Sequence, residues 1–192
     1  MKTDIILAGV GGQGILSIAA TIGMAALSND LHLKQAEVHG MSQRGGAVQS
    51  HLRVSSKPIA SDLIPRGACD IILSVEPMES LRYLDFLKED GWIITNSTPF
   101  VNITNYPEVD EVIKTIKKRK NHIILDADKL AKEVGSPRSS NIVALGAATP
   151  FIDIPYEAFE EAIRQIFLKK GERIIEANIA ALKAGRTVAD AR

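Results

Sequence analysis

The sequence predicts an α/β fold: a mostly parallel sheet flanked by helices, with a helical pair at the C-terminal end. Three observations carry this expectation. Short apolar runs such as Ile5-Ile6-Leu7-Ala8, Ile71-Ile72-Leu73 and Trp92-Ile93-Ile94 alternate with stretches of helical periodicity, the order that βα units produce. These runs are apolar residue after residue, as strands covered on both faces are. The first run also passes through Gly9-Val10-Gly11-Gly12-Gln13-Gly14 into a helix-like stretch, the Rossmann-like layout of strand, glycine loop and helix.

Taken in order, the first strand is expected at residues 4–8. The helix after the glycine loop runs to Leu27, with Ile15, Ile18, Ala19, Ile22 and Ala26 at helical spacing. Its many small residues let it lie close to a sheet. A second strand is expected at 33–38, then a polar, glycine-rich loop, His39-Gly40-Met41-Ser42-Gln43-Arg44-Gly45-Gly46. Residues 48–54 alternate apolar and polar side chains, which predicts a half-exposed strand antiparallel to a neighbour. Residues 70–74 read as a buried parallel strand. Pro77 suits a helix start, with Leu81, Leu84, Phe86 and Leu87 as its apolar face and Gly91 as its end. A strand at 92–95, a turn-rich stretch at 96–107, a helix at 109–118 and a strand at 122–125 follow. A short helix at 128–134 ends at Gly135. An apolar helix at 141–148 precedes a long amphipathic helix from Pro155 to Lys170. Gly171 breaks it, and a last helix is expected to stop near Ala184, with Gly185 as its signal.

Composition narrows the function classes. The chain has 192 residues, 45% hydrophobic and 24% charged, which suits one globular domain with a real core. Lys+Arg and Asp+Glu are equal at 23 each, so charge gives no argument for nucleic acid or an anionic membrane. No apolar run approaches the ~20 residues that span a bilayer. Met1-Lys2-Thr3-Asp4 leads straight into the first strand, so no signal peptide is expected and a cytoplasmic address fits. The one cysteine, Cys69, excludes a disulfide framework, and also an iron–sulfur cluster held by this chain alone.

No residue is singled out as catalytic, and no metal site is expected. His39 and His51 read as hydrogen-bonded structural residues, His32 and His122 as surface or strand-edge residues. No histidine has a carboxylate or cysteine partner at metal-ligand spacing. Cys69 has no neighbour to lower its pKa and reads as inert. The cluster of Lys114, Lys117, Lys118, Arg119 and Lys120 reads as a solvated helix end. An NAD(P) site at the glycine loop would need an acidic residue about 20 residues on to hold the ribose. Glu37, the nearest, comes too late. In such sheets ligands bind beyond the carboxyl ends of the strands, so the glycine loop and the 40–46 loop are expected to converge on one crevice.

The two loops together carry a specific resemblance. Gly9-Val10-Gly11-Gly12-Gln13-Gly14, followed by Glu37-Val38-His39-Gly40-Met41-Ser42-Gln43-Arg44-Gly45-Gly46, resembles the gamma-type domain of the 2-oxoacid:ferredoxin oxidoreductases. Within that pyruvate/ketoisovalerate family it is most similar to the small (beta) subunits of the indolepyruvate type. The match continues in Asn141-Ile142-Val143-Ala144-Leu145-Gly146-Ala147 and in the helix from Asn178 to Gly185, so it covers nearly all of residues 1–192 as one domain. The resemblance implies CoA-dependent oxidative decarboxylation of aryl 2-oxoacids, giving acyl-CoA, carbon dioxide and reduced ferredoxin. It implies that a large (alpha) partner subunit carries thiamine diphosphate, magnesium and the iron–sulfur clusters, and that ferredoxin is met only indirectly. This chain would then be a small, non-redox subunit, with the hard chemistry on a cofactor elsewhere. The candidate binding residues are Gly9, Gly11, Gly12, Gln13, Gly14, Ser42, Gln43, Arg44 and Gly45. Backbone N–H groups of the glycines, neutral hydrogen bonds from Gln13 and Ser42, and the Arg44 fork suit a carboxylate or phosphate; coenzyme A is one possible ligand. Two other readings stay open: a stand-alone NAD(P)-dependent oxidoreductase, and a purely structural assembly subunit.

Overall fold

A computed structural model of the chain describes residues 1–39, 45–101 and 103–192. Six strands form one sheet: β1 (Lys2–Val10), β2 (His32–His39), β3 (Ala47–Ser55), β4 (Cys69–Ser74), β5 (Leu87–Asn96) and β6 (His122–Leu125). Their spatial order is β2-β3-β1-β4-β5-β6. β1, β4, β5 and β6 are mutually parallel, and β3 runs antiparallel to both β1 and β2. The sheet is therefore mixed, with β3 as the one reversed strand. β3 also lies inside the sheet, so His51 and Ser50 on it are buried, more deeply than a half-exposed strand requires.

The helices are α1 (Ile15–Leu27), α2 (Pro77–Arg82), α3 (Val109–Lys117), α4 (Ala127–Glu133), α5 (Ser140–Ala148), α6 (Tyr156–Phe167) and α7 (Glu172–Asp190). They cover both faces of the sheet. On β1, Ile5 and Leu7 belong to the core shared with α1, α5 and α6. Ile6 and Ala8 point the other way, toward Ile72, Cys69 and Tyr83. This is the two-sided alternation that a continuous apolar run must have in an extended strand. Across β5, Ile93 joins Val112 and Ile116 of α3.

Two expectations are corrected. The helix that begins at Pro77 stops at Arg82 instead of running to Gly91, and β5 begins at Leu87 and passes through Gly91. Long-range pairing decides this. Gly67 N–H donates to Asp85 O at 2.9 Å, and Leu87 pairs with Cys69 at the start of β4. The apolar residues 84–87 thus serve a turn and a strand rather than one helix face. Gly185 likewise does not end α7, which continues to Asp190. It is a crossing point. A Cβ at Gly185 would collide with the Val143 carbonyl oxygen, and one at Gly146 with the Leu182 carbonyl oxygen. Small residues are needed where the two backbones touch. The C-terminal pair is seated on the fold, with Phe159 and Ile163 of α6 and Leu182 of α7 fully buried.

Candidate functional site at the carboxyl edge

The chain crosses from one side of β1 to the other between β3 and β4. The carboxyl ends of β1 and β4 are therefore the switch point where such sheets form a crevice. The glycine loop sits there. Gln13 N–H donates to Val10 O at 3.1 Å, closing the turn, and the Gln13 side-chain oxygen accepts from Val10 N–H at 2.8 Å. Gly12 and Gly14 have φ of 101° and 80°, a left-handed backbone that glycine adopts without penalty. Gly14 is the N-cap of α1. Its carbonyl accepts from Asn141 Nδ2 at 3.0 Å, so the start of α5 is fastened to the loop. A Cβ on Gly14 would stand 2.5 Å from that nitrogen.

The glycine loop meets the described end of the second loop, at Gly45 and Gly46. Gly11 N–H donates to Gly46 O at 2.8 Å and Gly45 N–H to Gly11 O at 3.3 Å, extending the β1–β3 ladder beyond Val10 and Ala47. Gly9 is not in the loop. It lies within β1, where a Cβ would meet Val75 Cγ2 at 2.5 Å, so its smallness serves packing. Gly11 spends its N–H on Gly46, and Gln13 spends its oxygen on Val10. Gly11, Gly12 and Gly14 all line clefts, and the Gly11 N–H is already used. Ser42, Gln43 and Arg44 lie outside the described residues.

Three clefts surround this loop. One, of about 390 Å³, lies between Gly12–Gly14, Ser17, Asn141, Asn178 and the cations Arg138 and Lys170. Its floor is knitted by Ser139 Oγ donating to Asn178 Oδ1 at 2.9 Å. A second, of about 350 Å³, is lined by Gln13, Val75, Asn96, Phe100, Asp128 and Lys132. Asn96 at the end of β5 donates to Asp128 Oδ2 at 2.9 Å and accepts from Ala127 N–H at 3.0 Å. A third, of about 270 Å³, lies over Val10, Gly11, Leu16 and Val48. The first cleft carries positive charge and helix N-termini, which favour an anion.

His51 and Cys69 are placed away from this chemistry. His51 is buried, accepts from Ile64 N–H on Nδ1 at 3.0 Å and meets Gln49 through Nε2 at 2.6 Å. Burial, and then the charge of Arg53, lower its pKa below 6.5, so it is held neutral as a structural group. Burial pushes the Cys69 thiol up to about 12, which keeps it from being a thiolate nucleophile. Among the described residues no three His, Cys, Asp or Glu side chains group as a metal site, and no helix is long and apolar enough to cross a membrane. Asn96 and Glu76 were not anticipated from sequence. For Glu76 the signal was indirect: Pro77 marks the helix start and so puts Glu76 at the N-cap, a position glutamate does not usually fill.

Comparison with known proteins names the fold. The family described as Pyruvate ferredoxin/flavodoxin oxidoreductase matches residues 4–188. The chain belongs to this family. A relative from Archaeoglobus fulgidus named Indolepyruvate oxidoreductase subunit IorB is 36% identical over 194 residues, covering 96% of this chain and 94% of the relative. The gamma subunit of keto/oxoacid ferredoxin oxidoreductase from Geobacter sulfurreducens PCA superposes with a TM-score of 0.69 at 27% identity, covering 99% of each chain. A 2-oxoglutarate:ferredoxin oxidoreductase from Magnetococcus marinus, solved with 2-oxoglutarate, coenzyme A and succinyl-CoA bound, shares the fold with a TM-score of 0.78 at 24% identity. This chain is matched in full and spans 31% of that one. The family match and the full-length relatives make this chain a small subunit of a 2-oxoacid:ferredoxin oxidoreductase.

Proposed function

We propose that the chain, as a single gamma-type domain over residues 1–192, completes an oxidoreductase that converts aryl 2-oxoacids such as indolepyruvate to acyl-CoA, carbon dioxide and reduced ferredoxin. The substrate reading rests on the relatives' name, carried at 36% identity in the A. fulgidus protein. In this reading a large (alpha) subunit in the cytoplasm holds thiamine diphosphate, magnesium and the iron–sulfur clusters. The small subunit contributes binding and orientation. The observation that carries the reading is the crevice where the glycine loop is hydrogen-bonded to the Gly45–Gly46 loop at the switch point of the sheet. Gly12, Gly14, Ser42, Gln43 and Arg44 would face an anionic ligand there, a coenzyme A phosphate or the substrate carboxylate, with Arg138 and Lys170 on the cleft wall.

The purely structural reading has one observation in its favour: Gly11 and Gln13 use their polar groups within the loop. Replacing Arg44 by alanine in the assembled enzyme separates the two. The ligand reading expects the KM for coenzyme A or for the 2-oxoacid to rise about tenfold, the loss of one charge-assisted bond of about 1.4 kcal/mol. Unchanged KM values and unchanged assembly would refute a role for Arg44 in the crevice.

A further inference from the structure

Glu76 stands out among the groups the site description has not used. Its carboxylate follows β4, is 1% exposed, and among the described residues pairs with no cation. Neighbouring Glu79 is held by Arg82, Nε to Oε2 at 2.9 Å. A buried carboxylate without a cation survives only if hydrogen-bond donors surround it. Glu76 has three. Glu79 N–H donates to Oε2 at 2.8 Å, capping α2. Phe100 N–H donates to Oε1 at 3.3 Å, and the Tyr106 hydroxyl donates to the same oxygen. Ser74 Oγ, at the end of β4, donates to the Glu76 carbonyl at 2.5 Å. The bonds from Phe100 and Tyr106 to Oε1 reach across to residues 97–107, the connection between β5 and α3. Thr98, Pro99 and Phe100 of that connection form the wall of the 350 Å³ cleft, opposite Gln13.

We infer that Glu76 is a positioning residue: one buried carboxylate ties the end of β4 to the connection at 97–107 and so fixes the crevice wall facing the glycine loop. The inference rests on the proposed reading of that crevice as a ligand site. The connection is turn-rich in sequence; its start is tied to the sheet edge, where Ser97 N–H donates to Leu125 O at 2.8 Å and Thr98 Oγ1 donates to Asp126 Oδ1 at 3.5 Å. Phe100, Val101 and Ile103 on it are exposed, so apolar packing does not fix its path. Beyond Thr98 the carboxylate holds it by polar bonds, at Phe100 and at Tyr106. Tyr106 is matched to the role, because burial and then the bond to Glu76 raise its pKa above the ordinary range, which keeps the phenol protonated as a donor.

The test uses Tyr106→Phe and Glu76→Gln in the assembled two-subunit enzyme, with Arg44→Ala as the reference. Tyr106→Phe removes only a hydroxyl, so it keeps the test informative if Glu76→Gln fails to fold. Three things are measured: amide hydrogen exchange across 97–107, the KM values for coenzyme A and 2-oxoacid, and kcat. The inference expects faster exchange confined to that connection, one KM raised about tenfold by the misplaced wall, and kcat and assembly kept. Faster exchange with unchanged KM values would reduce Glu76 to a structural role and overturn the inference, as would unchanged exchange. If Arg44→Ala raises a KM and Tyr106→Phe does not, the latch fails while the crevice stands. If neither variant moves a KM, the crevice reading itself fails.

Discussion

At the scale of single residues, the sharpest demands come from Gly146, Gly185 and His51. The two glycines hold α5 and α7 at backbone contact, where the added Cβ would overlap a carbonyl oxygen of the other helix. Gly146→Ala or Gly185→Ala should each lower stability by about 3 kcal/mol, the upper range for overpacking a tight site, read from urea midpoints. A loss under about 0.5 kcal/mol, the level of an indifferent surface change, would mean the helices do not meet there. His51 makes a prediction about pH. Burial lowers its pKa below 6.5, so the fold holds it neutral while the unfolded chain protonates at the ordinary value. Its contribution to stability is therefore complete above pH 6.5 and is lost as pH falls from there through the lowered value. Urea midpoints should drop as pH falls below about 6.5, and His51→Gln should flatten that drop. An equal slope in the variant would count against it.

At the scale of elements, the sequence was most informative where local and global signals agreed. The glycine loop, α1 and the buried strands were legible because apolar runs and small-residue periodicity match what the sheet requires. The ends of α2 and α7 were not, since both depended on distant partners: Cys69 and Gly67 for the 84–87 turn, Val143 for Gly185. A glycine in a helix reads as a stop until the neighbouring helix is in place. The site was half legible. Convergence of the two glycine-rich loops followed from their positions after strand ends, but the fastening of Asn141 to Gly14 and the buried Glu76 were visible only in three dimensions. The same scale argues against a dinucleotide site. β3 lies between β1 and β2, so Glu37 on β2 is one strand, about 4.8 Å, further from the glycine loop than a ribose-binding carboxylate on an adjacent strand would be.

At the scale of the whole molecule, the sheet, its two helical layers and the family match over residues 4–188 describe a subunit with three clefts around the glycine loop at the carboxyl edge. Formal net charge of zero gives no net monopole for long-range steering. The most direct measurement is co-expression with a large subunit of the indolepyruvate type, followed by anaerobic assay of ferredoxin or viologen reduction with indolepyruvate and coenzyme A. The large subunit alone serves as control. Reduction that requires both chains is the expected result. Two chains that neither associate nor turn over, together with saturable NAD(P)H binding by this chain alone, would contradict the account.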